Sequence, residues 1–245
     1  MMLSVLYVSA QKQEERKGMF YFSAGTHRAF YTPSTVRLVS DVAPSFDFTL
    51  EKLRAKDDQG FKINASPQYT YNAGYYSFQK NAGIEFQFDH VKYKIREGQV
   101  SRLRGEINKK IFDLDTVVHA DFVQLEHTDG ANYAMINLVK WKQLTIDKKN
   151  AHSLNLFLKA GGGLVIPKTN STIMGKHNDD RYAVSGYVIG VEPGLRYNFL
   201  KNFFASASVK GAYANYQKFR IADGFGSQQW FSVQFNLMIG VQVAH

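Results

Sequence analysis

The last stretch of the chain, QQWFSVQFNLMIGVQVAH (228–245), limits the possible folds more than any other. Phe231, Val233, Phe235, Leu237, Ile239, Val241 and Val243 take every second position, with Ser232, Gln234, Asn236, Met238, Gly240 and Gln242 between them. Successive side chains of a strand point to opposite faces, so one face is apolar throughout and the other mostly polar. The rhythm holds for thirteen residues, longer than strands of soluble sheets usually run. About nine to eleven tilted residues are enough to cross a hydrocarbon layer.

Seven more segments repeat the pattern: 19–31, 68–79, 83–94, 133–146, 151–166, 182–199 and 203–216. Their connections alternate in length. Those at 79–82, 147–150 and 200–202 are short and polar; those at 32–67, 95–132, 167–181 and 217–228 are long. Tight turns on one side and long loops on the other are the habit of transmembrane barrels. In lipid every backbone group must pair within the protein, which forces closure. The expectation is an all-β, closed antiparallel up-and-down transmembrane β-barrel of eight strands, with short periplasmic turns and long external loops. FDFTLEKL (46–53) and ADFVQLEH (120–127) are strand-like pieces inside the long loops. They extend the barrel strands or raise the count to ten.

The totals agree with this class. No run approaches the length of a membrane helix, and mean hydropathy is −0.30, as expected when lipid-facing residues alternate with polar ones. Cysteine is absent, which excludes disulfides and thiolate metal sites. A net charge of +9 suits an anionic partner, but no stacking platform or reading helix points to nucleic acid. Residues 1–11, MMLSVLYVSAQ, read as the remnant of a secretory signal peptide, leaving 18–245 as one barrel domain with both ends on the periplasmic side.

FYFSAGTHRAFY (20–31), FDFTLEKLRAKD (46–57), FDHVKYKI (88–95), EHTDGANY (126–133) and GSQQWFSVQ (226–234) are similar to an uncharacterised family of outer-membrane β-barrel proteins of Bacteroidetes-type bacteria. The resemblance implies the fold and an outer-membrane location, and names no activity.

The alternation places a set of ionisable side chains in the lumen: His27, Glu85, Asp89, Lys159, Glu192, Arg196 and Lys210. An eight-stranded barrel is only wide enough to be filled by side chains, and buried charges must be paired. A salt-bridged plug follows, with Asp89 and Glu192 answering Lys159 and Lys210, and with Glu85 and Arg196 pairing nearer the periplasm. Phe231, Val233, Phe235, Leu237, Ile239 and Val241 form a lipid-facing stripe.

Outside the lumen, His127 and Asp129 beside the Asp-Gly turn, and the basic run carrying Arg102, Arg104, Lys109 and Lys110, are candidates for contact at the external rim. The basic run could neutralise lipopolysaccharide phosphates. No nucleophile stands on the same face as His127 to make a lipid hydrolase. His177, Asp179 and Asp180 lack the further ligands a metal site needs.

The functional expectation is a non-enzymatic integral outer-membrane barrel without cofactor or metal. Its lumen is filled, and its external loops bind surface partners. Those partners are outer-membrane lipid and lipopolysaccharide or other outer-membrane proteins. The alternatives are a narrow transporter of small hydrophobic solutes and a lipid A-modifying acyl hydrolase.

Overall fold

A computed structural model describes residues 17–57, 68–147, 152–179 and 181–245; the signal-like segment 1–11 lies outside them. Eight strands close a barrel in chain order: β1 (Gly18–Tyr31), β5 (Tyr69–Ser77), β6 (Ala82–His90), β11 (Ala131–Asp147), β12 (His152–Pro167), β15 (Gly186–Leu200), β16 (Phe203–Ile221) and β17 (Gly224–Ala244). The seam is a long antiparallel ladder from Met19↔Ala244 to Tyr31↔Ser232, so the wall has no free edge. Gly18 and His245 exchange backbone hydrogen bonds at the short-turn end.

The wall is inverted relative to a soluble fold. Phe231, Val233, Phe235, Leu237, Ile239 and Val241 all point outward, with Leu237 63% and Ile239 66% exposed. They are joined by Phe20, Phe22, Ile84, Phe86, Ile136, Leu138, Ile189 and Val191. Their strand neighbours Ser232, Gln234, Asn236 and Met238 are buried inside. An apolar exterior on a closed antiparallel barrel of eight strands is the architecture of an integral outer-membrane protein.

The long connections are not loops. Among the described residues they hold nine further strands: β2 (Ser34–Ser40), β3 (Phe46–Leu53), β4 (Ala55–Lys56), β7 (Tyr93–Ile95), β8 (Val100–Ile107), β9 (Lys110–Val117), β10 (Val123–His127), β13 (Asn170–Ile173) and β14 (Lys176–Asp179). FDFTLEKL forms β3, and the second strand-like piece contains β10. Neither enters the wall, so the count there is eight and not ten.

The hairpin of β16 and β17 runs past the wall, with a register shift between Tyr216 and Phe219. There β17 turns its other edge to β2, which starts the row β2-β3-β8-β9. A second sheet has the order β14-β13-β10-β7-β4. Both sheets contribute to one apolar core, with Leu38, Phe48, Leu50 and Leu53 from the first and Tyr93, Ile95, Val123 and Leu125 from the second. This cap continues into the mouth of the barrel through Tyr133, Tyr216 and Trp230, which belong to the same core.

Candidate functional site

The lumen is built in tiers. At the short-turn end Trp141 stacks on Tyr76 at 4.2 Å, and the Arg196 guanidinium lies 3.4 Å from the Phe204 ring centre and 4.5 Å from that of Trp141. Arg196 also donates to Asn198 Oδ1 at 3.2 Å and to Gln242 Oε1. A guanidinium between aromatic faces keeps electrostatic partners without a carboxylate.

In the next tier Lys159 Nζ sits 2.8 Å from Glu85 Oε1 and 3.5 Å from Glu192 Oε1. Tyr21 donates its hydroxyl to Glu85 Oε2 at 2.9 Å. Ser208 and Gln87 donate to the two oxygens of Glu192 at 2.6 and 3.0 Å. Above that, Lys210 pairs with Asp89 and lies 3.0 Å from Met135 Sδ. Thr70 donates to Asp89 Oδ1 at 2.9 Å, and His27 Nδ1 is 3.0 Å from the Thr70 oxygen. With the hydroxyl proton committed to Asp89, His27 must carry its proton on Nδ1 and donate it.

The lumen thus sets three cations, Lys159, Arg196 and Lys210, against three carboxylates, Glu85, Asp89 and Glu192, all of them buried. The expected partnership of Glu85 with Arg196 needs correcting. Glu85 lies beside Lys159, and Arg196 is held by aromatic rings and amide oxygens. Barrel tilt staggers neighbouring strands, so residues at similar distances from their turns need not share a level. Sequence reasoning also missed the neutral members Tyr21, Thr70, Gln87, Asn137 and Ser208. All lie on the inward phase of their strands, but a polar inward residue does not announce its partner.

At the mouth, aromatic rings replace charges. Trp230 stacks on Tyr93 at 4.2 Å and on Tyr216 at 4.5 Å. Trp230 Nε1 donates to the Tyr133 hydroxyl at 3.2 Å, and Tyr216 donates to the Ala131 carbonyl at 2.9 Å.

His127 belongs to this assembly, which overturns its placement at the external rim. It is fully buried, stacks on Tyr216 at 5.2 Å, and its Nδ1 is 3.0 Å from the Thr169 hydroxyl. Burial pushes its pKa down to about 3. Strand β10 turns this side of His127 into the shared core before the chain reverses at Asp129 and Gly130. Asp129 does remain near the surface, where Lys168 Nζ lies 2.7 Å from its carboxylate.

The basic run also changes character. It forms the β8–β9 hairpin, in which Arg102 Nε is 2.6 Å from Asp113 and Arg102 NH1 is 3.2 Å from Asp115. Arg104 reaches Asp113 and Glu51, each at 3.1 Å. The hydrogen bond from Arg102 holds Asp113 below the usual carboxylate range. Only Lys109 and Lys110, at the turn, remain as exposed cations without such partners. The acids that neutralise the run lie on the following strand, DLD at 113–115, which became visible as partners once the hairpin was. His177 lies on β14, Asp180 is outside the described residues, and no group of three His, Asp or Glu residues gathers as a metal site among the described ones.

No family model and no curated protein matches the sequence. Among solved structures the chain is similar to Neisserial surface protein A, at 9% identity over 91% of this chain and 96% of that one, with a TM-score of 0.39. It is likewise similar to the outer membrane protein OprG of Pseudomonas aeruginosa, at 10% identity over 94% and 98%, with a TM-score of 0.39. The attachment invasion locus protein Ail of Yersinia pestis, solved in complex with the heparin analogue sucrose octasulfate, is 15% identical over 93% and 99%, with a TM-score of 0.35. Scores this low leave the architecture to rest on the strand pairing itself.

Proposed function

We propose that this protein is a non-enzymatic surface-binding protein of the outer membrane, anchored by a filled barrel and acting through its folded cap. The observation that carries the reading is the division of labour between the two parts. The barrel interior is spent on a charge-balanced plug whose ionisable groups, His27, Glu85, Asp89, Lys159, Glu192, Arg196 and Lys210, meet one another, aromatic rings or buried amides and hydroxyls. Side chains paired in this way occupy the space that a solute would need in a barrel of eight strands. The cap, by contrast, has a rigid apolar core and a large structured exterior, which suits a binding surface. An acyl hydrolase would need a nucleophile beside an accessible base, and His127 is enclosed by rings.

The test is planar-bilayer recording of the full chain. The expected result is no unitary conductance at potentials up to ±150 mV, on the order of the largest fields a bilayer carries in cells. Regular conductance steps, abolished by Lys210→Met, would overturn the filled-anchor reading.

A further inference from the structure

The lumen carries a polar cluster that its ion pairs do not use. His27 and Asn236 are each 2% exposed, and Gln68 and Gln234 are fully buried. His27 stands directly opposite Asn236 across the seam of β1 and β17, and Gln234, two residues along, stands opposite Ala29. On the other flank of β1, Tyr69 is the partner of Thr26. Gln68, one residue earlier, therefore comes level with His27. Four polar side chains from β1, β17 and the approach to β5 share one stretch of the inner wall. Ala29 is small, which leaves room beside the Gln234 amide.

The bonds around this cluster fix which atoms accept. His27 gives its Nδ1 proton to Thr70, so Nε2 is an acceptor. It meets no partner among the described residues. Ser208 donates its proton to Glu192 at 2.6 Å, so its oxygen accepts from Asn236 Nδ2 at 3.3 Å. That orientation leaves Asn236 Oδ1 as a second acceptor without a protein donor among the described residues. Directly opposed strand residues have Cβ atoms about 5 Å apart, so the two acceptors open on one small space. Both amide atoms of Gln234 and both of Gln68 are likewise without partners among the described residues. In a dry lumen each of these atoms would carry its full desolvation penalty.

We infer that His27, Gln68, Gln234 and Asn236 enclose an ordered water cluster that bridges the first and last strands of the barrel. Water supplies one proton to each of the two acceptors and takes others from the glutamine amides. That gives the three or so bonds typical of a buried water. An anion would face the lone pairs of Nε2 and Oδ1. An ammonium ion has the protons, but Lys210 stands opposite Gln234 and repels a second cation. Lys210 itself is committed to Asp89 and Met135 Sδ, so the cluster lies beside that ion pair and does not replace it. The stacked rings of Trp230, Tyr93 and Tyr216 close the mouth above, and exchange with bulk solvent is slow.

The test uses the full chain folded in detergent micelles with isotope-labelled glutamine. The side-chain amide signals of Gln68 and Gln234 are assigned through their own backbone amides. Rotating-frame spectra should show dipolar cross-peaks from both side-chain amides to the water frequency, opposite in sign to chemical exchange. The absence of cross-peaks at that frequency, or peaks of exchange sign alone, would overturn the proposal: the first marks a dry lumen, the second open solvent. Gln234→Leu should lower the urea midpoint for refolding in lipid vesicles, because the trapped water loses a donor. A raised midpoint would mean that the amide is buried dry, and would overturn it too. Exchanging sodium for ammonium in the buffer should leave the amide signals in place. A shift that saturates with ammonium would make the occupant a cation and end the water assignment.

Conductance steps with the dipolar cross-peaks retained would sink the filled-anchor reading alone. A silent bilayer without those cross-peaks would sink the water cluster alone.

Discussion

Asp89 and Lys210 are the least exposed of the charged pairs among the described residues, 0% and 1% respectively, and removing one partner strands the other in a dry interior. Asp89→Asn is therefore expected to cost about 3–5 kcal/mol, read from urea refolding in lipid vesicles. Asp89→Leu combined with Lys210→Met should recover most of that, because the desolvation penalty of both charges goes with them. A single variant as stable as the parent would show that the pair is hydrated and the tiers are not packed. At this scale the sequence was legible in phase and only partly in partnership: Asp89 meets Lys210 and Glu192 meets Lys159, but Glu85 does not pair with Arg196. Counting by two puts Asp89, Lys159, Glu192 and Lys210 inside, because a strand offers only two faces. Which carboxylate meets which amine depends on stagger across several strands. Glu85 therefore sits beside Lys159, while Arg196 lies among Phe204, Trp141 and Tyr21.

Strands are where the reading was strongest and also where it missed most. The eight wall segments are legible because each must match the same hydrocarbon thickness. The cap strands follow the same period of two, yet they are short, interrupted and buried on one face only, so apart from the pieces at 46–53 and 120–127 a local window did not separate them from loop. Gly105 shows what holds one of them in place. It lies on β8 with φ at +138°, and a Cβ added there would fall 2.2 Å from the Asp47 carbonyl oxygen. A side chain would pry β8 from β3 at the Phe48↔Gly105 pair. In Gly105→Val, trypsin is expected to cut at Arg102, Arg104, Lys109 or Lys110 at least about tenfold faster, by raising the open population of this element alone. The barrel should keep its resistance to unheated detergent. Loss of both together would mean that the cap hairpin and the wall fold as one cooperative unit.

The chain carries two tryptophans, and the fold puts one at each end. Trp141 lies against Tyr76 in the short-turn cluster, while Trp230 lies against Tyr93 and Tyr216 where cap meets barrel. They can report whether the molecule opens from one end, and His127 supplies the trigger. Burial lowers its pKa from 6.5 to about 3, so at neutral pH it is uncharged in both folded and unfolded cap and contributes no pH dependence. Below 6.5 the unfolded cap takes up a proton that the folded cap refuses, and stability falls by about 1.4 kcal/mol per pH unit. The fall levels off once pH drops below about 3, where the folded form is protonated too. The hydrogen bond between Arg37 and Asp47 acts in the same direction. It lowers the Asp47 pKa, and its contribution disappears as pH falls through that lowered value, though exposure to solvent keeps it small. The wall is held instead by a closed ladder and by the bilayer. On acidification from pH 7 to 4, Trp230 in a Trp141→Phe background should shift to longer emission wavelength, while Trp141 in a Trp230→Phe background stays unchanged. His127→Phe should abolish most of the acid response, although it leaves the Thr169 hydroxyl without its partner. If both tryptophans respond at one midpoint, cap and barrel are a single cooperative structure; if neither responds, the cap stays closed around His127 over this range and His127 is not the trigger.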